Sequence, residues 1–457
     1  MTPAAARAQA AAAGADDALS IFAAERDAGD AVALRVGDQR LRFADLARLT
    51  EPRLRALARE TRTGTPYPLV GSNALDTLVT LYALLELRMP ALMLHPKLTE
   101  VEIAAEKTHA AQAAGTLPAD AAAVLYTSGT TGQARGAVLT RSALLASAQA
   151  SRANLDWHAG DCWLLAMPVA RIGGLSIVTR CLAARRALAL APAFDAALLP
   201  RWIAEHRITL LSLVPTMLSL LLEAHPDWAP PSHLRAVLLG GAAASSALLE
   251  RAAAQRLPIV ITYGCTETCS QVAATPYDRR FDAAACGAGR PLAGVQLRIE
   301  GGHIQVKGPM LMAGYMGEAP LAAGTWFDTG DLGELDAHGC LHLHGRRADL
   351  IVTGGENVYP AEVERVLEAC PGIHAAAVFG VADDTWGQTV AMALVAGPHP
   401  PSDEVLIDYL GERMAPHKRP RWICFAQSLP HTAAGKLDRL ALSALVPALR
   451  PLRTAPP

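Results

Sequence analysis

In the larger, N-terminal part of the chain, stretches with helical spacing of apolar residues alternate with short apolar runs. Leu75–Leu87 and Arg141–Ala150 have the helical spacing, and Thr140 is a suitable N-cap for the second of these helices. The short apolar runs are of strand type, and they are Ala91–Leu94, Ala121–Tyr126, Thr209–Val214, Ala236–Leu239 and Ile259–Tyr263. Because such runs are typical of strands buried on both faces, the pattern predicts an α/β fold.

The pattern changes near residue 295, where apolar and polar residues begin to alternate one by one. The alternating segments are Val295–Glu300, His303–Val306 and Leu341–His344, and they predict half-exposed antiparallel strands. Pro360–Glu368 then predicts a helix, and Ala375–Val381 predicts a further strand. The chain therefore adds an α+β segment to the α/β part that precedes it.

The predicted domain boundary lies near Gly345–Arg346, where a two-stranded hairpin ends. It divides the chain into a large N-terminal domain, residues 1–345, and a small C-terminal domain, residues 346–457. The composition agrees, because 457 residues that are 51% hydrophobic and 18% charged suffice for more than one core. The same composition excludes disorder over most of the chain.

Charge and apolar segments exclude several classes of partner. Lys and Arg number 41 against 43 Asp and Glu, a balance that gives no electrostatic footprint for a nucleic acid or a membrane surface. The segment Ile208–Leu222 is interrupted by Pro215 and is too short to span a membrane. Met1–Gly14 lacks the basic start and apolar block of a secretory signal. Eight cysteines without a CxxC pair favour free thiols over disulfides or a zinc site. We therefore expect a soluble, cytoplasmic protein.

The strongest local motif is a loop that follows the predicted strand ending at Tyr126. Thr127–Gly132 contains only Gly, Ser and Thr, so its backbone N–H groups can turn inward while its hydroxyls add hydrogen-bond donors. No Lys follows Gly132 at the place that the GxxxxGK[ST] motif requires, so this is not a P-loop of that type. The loop suits a polyphosphate, and the alternative is an ordinary connector.

Five further segments follow this loop in a fixed order, and they are Leu239–Ala243, Tyr263–Glu267, Thr329–Gly333, Gly345–Pro360 and Pro430–Arg439. Together with Tyr126–Gly136, these segments resemble the motifs of the adenylate-forming superfamily of acyl-CoA synthetases, adenylation domains and luciferases. The resemblance implies a large, multi-subdomain N-terminal α/β domain, a small mobile α+β C-terminal domain and a site between them.

The resemblance also implies an activity. In this family a carboxylate attacks the α-phosphorus of ATP and expels pyrophosphate, and a thiolate, usually that of coenzyme A, then attacks the acyl-adenylate. The implied cofactors and co-substrates are ATP, Mg²⁺ and coenzyme A, and positive charge must be concentrated where two anions meet. The implied ATP- and AMP-binding residues are Thr127, Ser128, Gly129, Thr130, Thr131, Gly132, Arg135, Gly241, Ala242, Tyr263, Gly264, Asp331 and Arg346.

Catalytic and acceptor-side roles follow from the same resemblance. It implies Lys436 as the catalytic lysine, together with Thr266 and Glu267, and Glu267 as the Mg²⁺ ligand. Asp331 would accept both ribose hydroxyls, and Arg346 would support the ribose from the hinge. The loop on the CoA side is Gly354, Gly355, Glu356 and Asn357. The acyl substrate is expected at Arg171, Gly173, Gly174 and Gly240.

Within the superfamily, the outer segments resemble the o-succinylbenzoate–CoA ligases of menaquinone biosynthesis. These segments are Ala33–Phe43, Leu165–Ser176, Ser212–Met217 and Leu234–Ala242. We therefore expect an AMP-forming acid–thiol ligase that acts on the small-molecule acid 2-succinylbenzoate. One alternative is a CoA ligase for another aryl or short-chain acid in secondary metabolism, and another is an adenylation enzyme that loads a carrier protein. The family often dimerises, so the resemblance also allows a homodimer.

Some positions depart from the family pattern. Arg171 stands where a His is common at the gate of the acyl pocket, and it either pairs with a second substrate carboxylate or seals the pocket. Gln133 and Ala134 replace the usual Lys and Pro of the phosphate loop, and Arg135 replaces its second Lys. The triphosphate contacts are therefore expected to differ from those of relatives.

Three histidines lie close together in the sequence and raise the alternative of a metal site. His338, His342 and His344 cluster as metal ligands do, but they lie in a predicted turn and hairpin beside Asp336, where solvated strand histidines are favoured. The basic stretch Lys418–Arg421 is too short to indicate nucleic-acid binding. Neither group changes the expected activity.

Overall fold

The computed structural model describes residues 18–60, 65–113, 115–127, 135–346, 349–353, 356–383, 386–432 and 436–452, without the side chains of Glu60, Arg346 and Asn357. Its α-helices are α1 (Ile21–Ala28), α2 (Phe43–Glu60), α3 (Leu75–Glu86), α4 (Glu100–Gln112), α5 (Arg141–Leu155), α6 (Ile172–Ala184), α7 (Leu199–Glu205), α8 (Pro215–Ala224), α9 (Ser246–Ala254), α10 (Pro360–Glu368) and α11 (Asp403–Arg413). Its strands β1 to β12 are Val32–Val36, Gln39–Arg42, Tyr67–Val70, Ala91–Leu94, Ala121–Thr127, Arg135–Thr140, Cys162–Leu165, Ala187–Leu190, Leu210–Leu213, Ala236–Leu239, Ile259–Cys265 and Ser270–Ala274. Strands β13 to β24 are Arg290–Pro291, Gln296–Glu300, His303–Lys307, Gly314–Tyr315, Phe327–Leu335, Leu341–Arg346, Ile351–Thr353, Glu356–Val358, Ile373–Asp383, Gly387–Ala396, Trp422–Phe425 and Arg450–Pro451.

The chain divides into two compact units. The first runs up to Gly241 and takes in Gln255–Leu297 and Val306–Phe327. The second takes in Ala242–Ala254, Arg298–Gln305 and the chain from Asp328 onward. The domain boundary near Gly345–Arg346 stays a prediction.

Two sheets form the first unit. Nine of the described strands make one sheet in the order β13-β12-β11-β10-β9-β7-β8-β1-β2, and five make the other in the order β16-β6-β5-β4-β3. The inner pairs are parallel, whereas pairs at the edges, such as β11 with β12 and β5 with β6, are antiparallel. The inner strands β4, β7, β9 and β10 are buried at every position, which is why their sequences are continuously apolar. The predicted α/β class is confirmed.

The helices begin where local signals predict. The Thr140 side chain accepts a hydrogen bond from the Ala143 N–H, so it caps α5 as expected. Thr99 and Glu102 form a reciprocal capping box at the start of α4. Pro360 occupies the first turn of α10, and that helix has the predicted bounds.

The second unit has its own sheet and core. Strands β20, β19, β22, β23 and β24 lie side by side, and β21 pairs with β22. Helices α10 and α11 bury Val363, Leu367, Leu406 and Leu410 in a cluster with residues of this sheet. The four strands β14, β15, β17 and β18 form a separate sheet that lies mostly in this unit. Burial alternates along β14 and β15 as predicted, whereas in β18 Leu341 is buried and the next residues are all half-buried.

The cysteine prediction holds for six residues. Cys162, Cys181, Cys265, Cys269, Cys370 and Cys424 are free thiols. The prediction is wrong for Cys286 and Cys340, which are disulfide-bonded. Among the described residues, none of the helices has both the length and the apolar character that crossing a membrane requires.

Glu368, at the end of α10, gives the second unit a predictable dependence of stability on pH. Burial, and then the neighbouring Glu364, raises the pKa of Glu368 from 4.5 to about 7. The folded protein therefore holds a proton that the unfolded chain releases, so stability is lost as the pH rises from about 4.5 to about 7. We expect Glu368→Gln to raise the free energy of unfolding at pH 8 by roughly 1–3 kcal/mol and to leave it unchanged near pH 4. Urea denaturation at both pH values measures the free energy of unfolding, and Glu404→Gln, at an exposed position, is the charge-matched control. Equal gains in stability at the two pH values in Glu368→Gln would contradict the prediction.

Candidate functional site

The two ends of the Gly/Ser/Thr-rich loop are held together by neighbouring strands. Thr127 ends β5 and Arg135 begins β6, and the two residues are paired across the antiparallel ladder. The Thr127 hydroxyl also donates to the Arg135 carbonyl at 3.4 Å. The predicted phosphate-binding residues Ser128, Gly129, Thr130, Thr131 and Gly132 lie outside the described residues. Strand pairing therefore fixes the points from which this loop leaves and returns.

Arg135 is engaged by two side chains of the same unit. Its guanidinium lies 3.5 Å from the centroid of the Tyr315 ring. Its Nε and Nη2 donate to the two carboxylate oxygens of Glu318 at 2.9 and 2.5 Å. These hydrogen bonds raise the pKa of Arg135, so the side chain is a fixed positive charge at the end of the loop.

Glu267 lies in a tight turn between β11 and β12. The turn follows Gly264, where a Cβ would come within 1.7 Å of the Ser270 carbonyl oxygen, so the close approach of the two strands requires glycine. The Glu267 carbonyl accepts the Met312 N–H at 2.7 Å, and its carboxylate accepts the Tyr315 hydroxyl at 2.9 Å. Thr266 begins the turn, and Tyr263 is buried in β11. Glu267 is therefore held by both its main chain and its side chain.

Tyr315 thus joins two of the predicted site residues, with Arg135 on its ring and Glu267 on its hydroxyl. Strand β16 pairs with β6, which places Tyr315 opposite Ala137 and next to the returning end of the loop. A half-buried carboxylate with an oxygen available suits Mg²⁺, which takes one or two protein carboxylates together with substrate phosphates and water. Glu267 fits that description, and Arg135 suits the phosphate groups.

A glycine pair follows β10, where the adenine-side segment is predicted. A Cβ at Gly240 would lie 2.4 Å from the Thr262 hydroxyl, so only glycine allows β10 and β11 to approach so closely. Gly241 has a φ of +83°, a left-handed conformation that favours glycine. Ala242 is exposed and opens the first segment of the second unit. The chain therefore turns sharply at the predicted nucleotide-binding position.

Arg171 stands at the start of α6, beside the predicted acyl-substrate glycines. Its Nη1 donates to the Tyr126 carbonyl at 3.4 Å, and its Nε is buried without a hydrogen-bond partner among the described residues. A Cβ at Gly173 would meet the Met167 side chain at 2.6 Å, and one at Gly174 would meet the Pro168 carbonyl at 2.2 Å. The first turn of α6 is therefore packed closely against the segment before it.

Glu106 of α4 lies within electrostatic reach of Arg171. Burial raises the pKa of Glu106 to about 7, and Arg171 opposes that rise. Burial, and then Arg171, lowers the pKa of His95. Glu106 is thus close enough to Arg171 to interact electrostatically, but its Oε2 has no hydrogen-bond partner among the described residues.

Arg180 is a buried charge that sequence reasoning missed. It lies on α6 seven residues after Gly173, hence on the same helical face, and it is only 3% exposed. Its Nη2 donates weakly to the Ser147 hydroxyl at 3.5 Å, and its guanidinium lies 5.6 Å from the Trp163 ring. Burial lowers the pKa of Arg180 to about 10, so it stays charged at neutral pH. A lone Arg inside the apolar run Ile172–Ala184 was the available signal.

This buried charge has no acidic partner in the part of the chain that the structure describes. No carboxylate lies within ion-pair distance of Arg180, and its Nε has no hydrogen-bond partner there. Helix α6 packs against α5 and β12, which carry two further buried polar atoms without described partners, Ser151 Oγ and Gln271 Oε1. Buried guanidinium groups are normally paired with an anion, so Arg180 is an exception that needs an explanation.

In the second unit, the predicted ribose-binding residue lies on β17. The Asp331 N–H donates to the Thr329 hydroxyl at 3.2 Å, and that hydroxyl donates to the Ile304 carbonyl at 3.0 Å. Asp331 is half-buried, and its Cα pairs across the ladder with that of Arg346 on β18. The backbone therefore brings the two predicted ribose residues side by side.

Lys436 is presented by a short hairpin. His431 and Leu437 form a β-bridge, the Thr432 N–H donates to the Lys436 carbonyl at 2.7 Å, and the Asp438 N–H donates to the Pro430 carbonyl at 2.9 Å. Lys436 is exposed near the tip of this hairpin. Residues 433–435 lie outside the described part, so only the arms of the hairpin are defined.

Arg439 anchors the base of this hairpin to the second unit. Its guanidinium pairs with Asp349 at 3.0 Å and with Glu364 at 2.8 Å, and it also donates to the Val378 carbonyl at 3.0 Å. Of the predicted CoA-side loop, Gly354 and Gly355 lie outside the described residues. The remaining two, Glu356 and Asn357, lie on β20 and pair with Thr353 and Val352 of β19.

The histidine cluster behaves as ordinary strand and turn residues. The Asp336 carboxylate accepts the His338 and Cys340 N–H groups and lies 3.0 Å from the His342 Nε2. These contacts make Asp336 a turn residue. No group of three or more potential metal-ligating side chains occurs in the described ranges.

Two family models and a curated relative match the chain. The family model described as AMP-binding enzyme matches residues 102–316, and the one described as AMP-binding enzyme C-terminal domain matches residues 362–436. A 2-succinylbenzoate–CoA ligase of Bacillus mycoides (strain KBAB4) is 39% identical over 341 residues, which cover 72% of this chain and 70% of the relative.

Solved structures give the same result. The o-succinylbenzoate CoA synthetase (MenE) from Bacillus subtilis in complex with the acyl-adenylate intermediate OSB-AMP is similar, with a TM-score of 0.82, 31% identity and coverage of 92% of this chain and 97% of that one. The same synthetase in complex with ATP and a magnesium ion also has a TM-score of 0.82 and 31% identity, and the match covers 93% of this chain and 98% of that one.

Proposed function

We propose a function for this chain from one premise: it belongs to the family of AMP-binding enzymes. It is an AMP-forming acid–thiol ligase that converts ATP, 2-succinylbenzoate and coenzyme A into the acyl-CoA thioester, AMP and pyrophosphate. The ligases that match it over 72% of its length carry the name of this activity, and the similar Bacillus subtilis enzyme has been solved with the acyl-adenylate. The reaction places the enzyme in menaquinone biosynthesis.

The first step joins the acid to AMP. A carboxylate oxygen attacks the α-phosphorus, the bond from that phosphorus to the bridging oxygen breaks, and pyrophosphate leaves with the electron pair. Mg²⁺, when bound, neutralises charge on the phosphate oxygens, and Glu267 is the residue that would hold it. Arg135 contributes a fixed positive charge to the triphosphate at the end of the loop. Lys436 contributes positive charge where the carboxylate meets the α-phosphate.

The single observation that carries this proposal is the joint engagement of Arg135 and Glu267 by Tyr315. Phosphate transfer is mainly a matter of positioning and electrostatic stabilisation. Tyr315 holds the carboxylate of Glu267, which would bind Mg²⁺, and the guanidinium of Arg135, which would bind phosphate. Together these two groups supply the positioning and the electrostatic stabilisation. Tyr263, Gly264, Gly240 and Gly241 shape the adjoining strand ends, and Asp331 with Arg346 is assigned to the ribose.

The second step transfers the acyl group to sulfur. The CoA thiolate attacks the acyl carbon, a C–S bond forms, and the bond to the phosphate oxygen breaks as AMP leaves. We assign the CoA side to Glu356 and Asn357 with the adjoining Gly354 and Gly355. The predicted domain boundary, the homodimer and the cytoplasmic location remain part of the proposal.

We assign the second carboxylate of the acid to Arg180. 2-Succinylbenzoate is a dicarboxylic acid, so one carboxylate is activated while the other stays anionic and must be bound. Arg180 lies on the helix that starts at the predicted acyl-substrate glycines, and no carboxylate of the described chain pairs with it. Arg171, with Glu106 nearby, is then the residue that seals the gate. A substrate carboxylate would supply the anion that Arg180 otherwise lacks.

The proposal is tested by CoA-dependent AMP release with a panel of acids. We expect turnover of 2-succinylbenzoate to exceed that of benzoate, anthranilate, malonate and a medium-chain fatty acid by at least about 100-fold. Three of these acids lack a second carboxylate, and the two carboxylates of malonate are separated by a single carbon, so malonate lacks the length of 2-succinylbenzoate. Preference for another acid would keep the ligase chemistry and discard 2-succinylbenzoate. Adenylate formation that does not respond to CoA would favour a carrier protein as acceptor.

A further inference from the structure

The guanidinium edge that would bind a phosphate group is already held by a carboxylate of the chain. Glu318 accepts from Nε and Nη2 of Arg135 at 2.9 and 2.5 Å, so both parallel hydrogen bonds of the guanidinium fork are used. The two side chains are 41% and 50% exposed, and ligands from solvent can therefore compete for the pair. Arg135 and Glu318 both belong to the first unit, although they are 183 residues apart in the sequence.

The backbone places Glu318 against Arg135. The Met316 N–H donates to the Gly136 carbonyl at 2.7 Å, which fixes β16 beside the first residues of β6. Gly317 then takes a φ of +80°, and the Glu318 N–H closes the turn on the Tyr315 carbonyl at 3.0 Å. The ring of Tyr315 and the carboxylate of Glu318 are thus brought to the same guanidinium by one turn.

A guanidinium binds a carboxylate and a phosphate with the same geometry, through two parallel N–H···O bonds. A lysine at position 135 would offer a point charge without this fork, so the competition depends on the arginine. We propose that Glu318 sets the affinity of the site for the triphosphate and for pyrophosphate by occupying Arg135 until a phosphate group replaces it. The inference rests on the function proposed above, because that function makes Arg135 a triphosphate ligand.

Two consequences follow for the reaction. Binding of ATP must first break the pair between Arg135 and Glu318, so the pair weakens ATP binding. After the first step, Glu318 can return to Arg135 and help pyrophosphate to leave. The ring of Tyr315 contacts the planar face of the guanidinium and not the edge that Glu318 and a phosphate group would share, so it keeps Arg135 in position during the exchange.

The test is binding of inorganic tripolyphosphate and of pyrophosphate, measured by isothermal titration calorimetry at low ionic strength. We expect Glu318→Gln to lower both dissociation constants by about fivefold, a change typical of a well-oriented but exposed ion pair. Glu318→Asp keeps the charge but shortens the side chain, and it should give a smaller decrease. Pyrophosphate should also inhibit the Glu318→Gln enzyme at correspondingly lower concentration.

Glu205→Gln is the matched control. Glu205 is 49% exposed and pairs with Arg201 on α7, so this variant removes the same charge from a similar pair elsewhere. If Glu318→Gln tightens binding no more than Glu205→Gln does, the inference is wrong. Arg135→Met separates the two proposals, because it should weaken tripolyphosphate binding if Arg135 is a triphosphate ligand. Wild-type affinity in that variant would overturn this assigned role of Arg135 and the inference with it.

Discussion

Replacement of Lys436 by alanine should reduce ATP–pyrophosphate exchange by at least about 1,000-fold while the fold and ATP binding persist. The side chain is exposed on the arm of a hairpin that is closed by backbone hydrogen bonds, so its loss removes little packing. Its charge is needed most when the carboxylate and the α-phosphate approach each other, because repulsion between them is greatest there. Binding of ATP alone does not bring the two anions together, and the dissociation constant should therefore change by less than about fivefold.

The measurement combines isotope exchange between pyrophosphate and ATP with direct titration of ATP. Lys107→Ala, on the exposed side of α4, removes one lysine charge outside the proposed site and should retain the exchange rate. Thermal denaturation shows whether Lys436→Ala remains folded. Exchange at the parent rate in Lys436→Ala would show that the lysine is wrongly assigned, and loss of ATP binding would make it a ground-state ligand.

The elements whose signals are local were predictable from the sequence. Thr140 caps α5 and Pro360 starts α10, and each signal lies within one turn of the element that it begins. The buried strands were recognisable because a run such as Ala236–Leu239 is apolar at every position. By contrast, β6 begins inside the loop motif at Arg135 and is stabilised by pairing with β5 and β16, which no local pattern indicates.

The same distinction applies to the site. The motif residues themselves, such as Glu267 and Asp331, were identified by their resemblance to a family. The contacts that hold them come from distant segments: Tyr315 reaches Glu267, and Glu318 reaches Arg135 only because β16 pairs with β6. Helix α6 is buried along most of its length, so its sequence has no polar face that would show whether Arg180 points to solvent or into the core, and its burial is evident only in the structure.

Replacement of Arg180 by methionine should reduce kcat/KM for 2-succinylbenzoate by about 100-fold, equivalent to about 2.7 kcal/mol, because a substrate carboxylate would lose its buried charged partner. The loss should appear mainly in KM, since the second carboxylate is bound equally in the ground state and the transition state. Methionine fills much of the same volume, and exchange of a buried charge for an apolar side chain is often neutral or stabilising. The free enzyme should therefore remain folded.

Monoacid analogues of 2-succinylbenzoate, each lacking one of the two carboxylates, separate binding of the second carboxylate from other roles of Arg180. An analogue without the second carboxylate should react slowly with the wild type and no more slowly with Arg180→Met, whereas Arg180→Lys should recover part of the activity on the diacid. Arg171→Met is the comparison variant for Arg180→Met. Because Arg171 is assigned to the gate, near Glu106, its replacement should change the KM values for the diacid and the monoacid by the same factor. If the diacid instead loses its advantage in Arg171→Met and keeps it in Arg180→Met, the second carboxylate binds at the gate. In that case the charge buried in α6 must be balanced by a group other than the substrate.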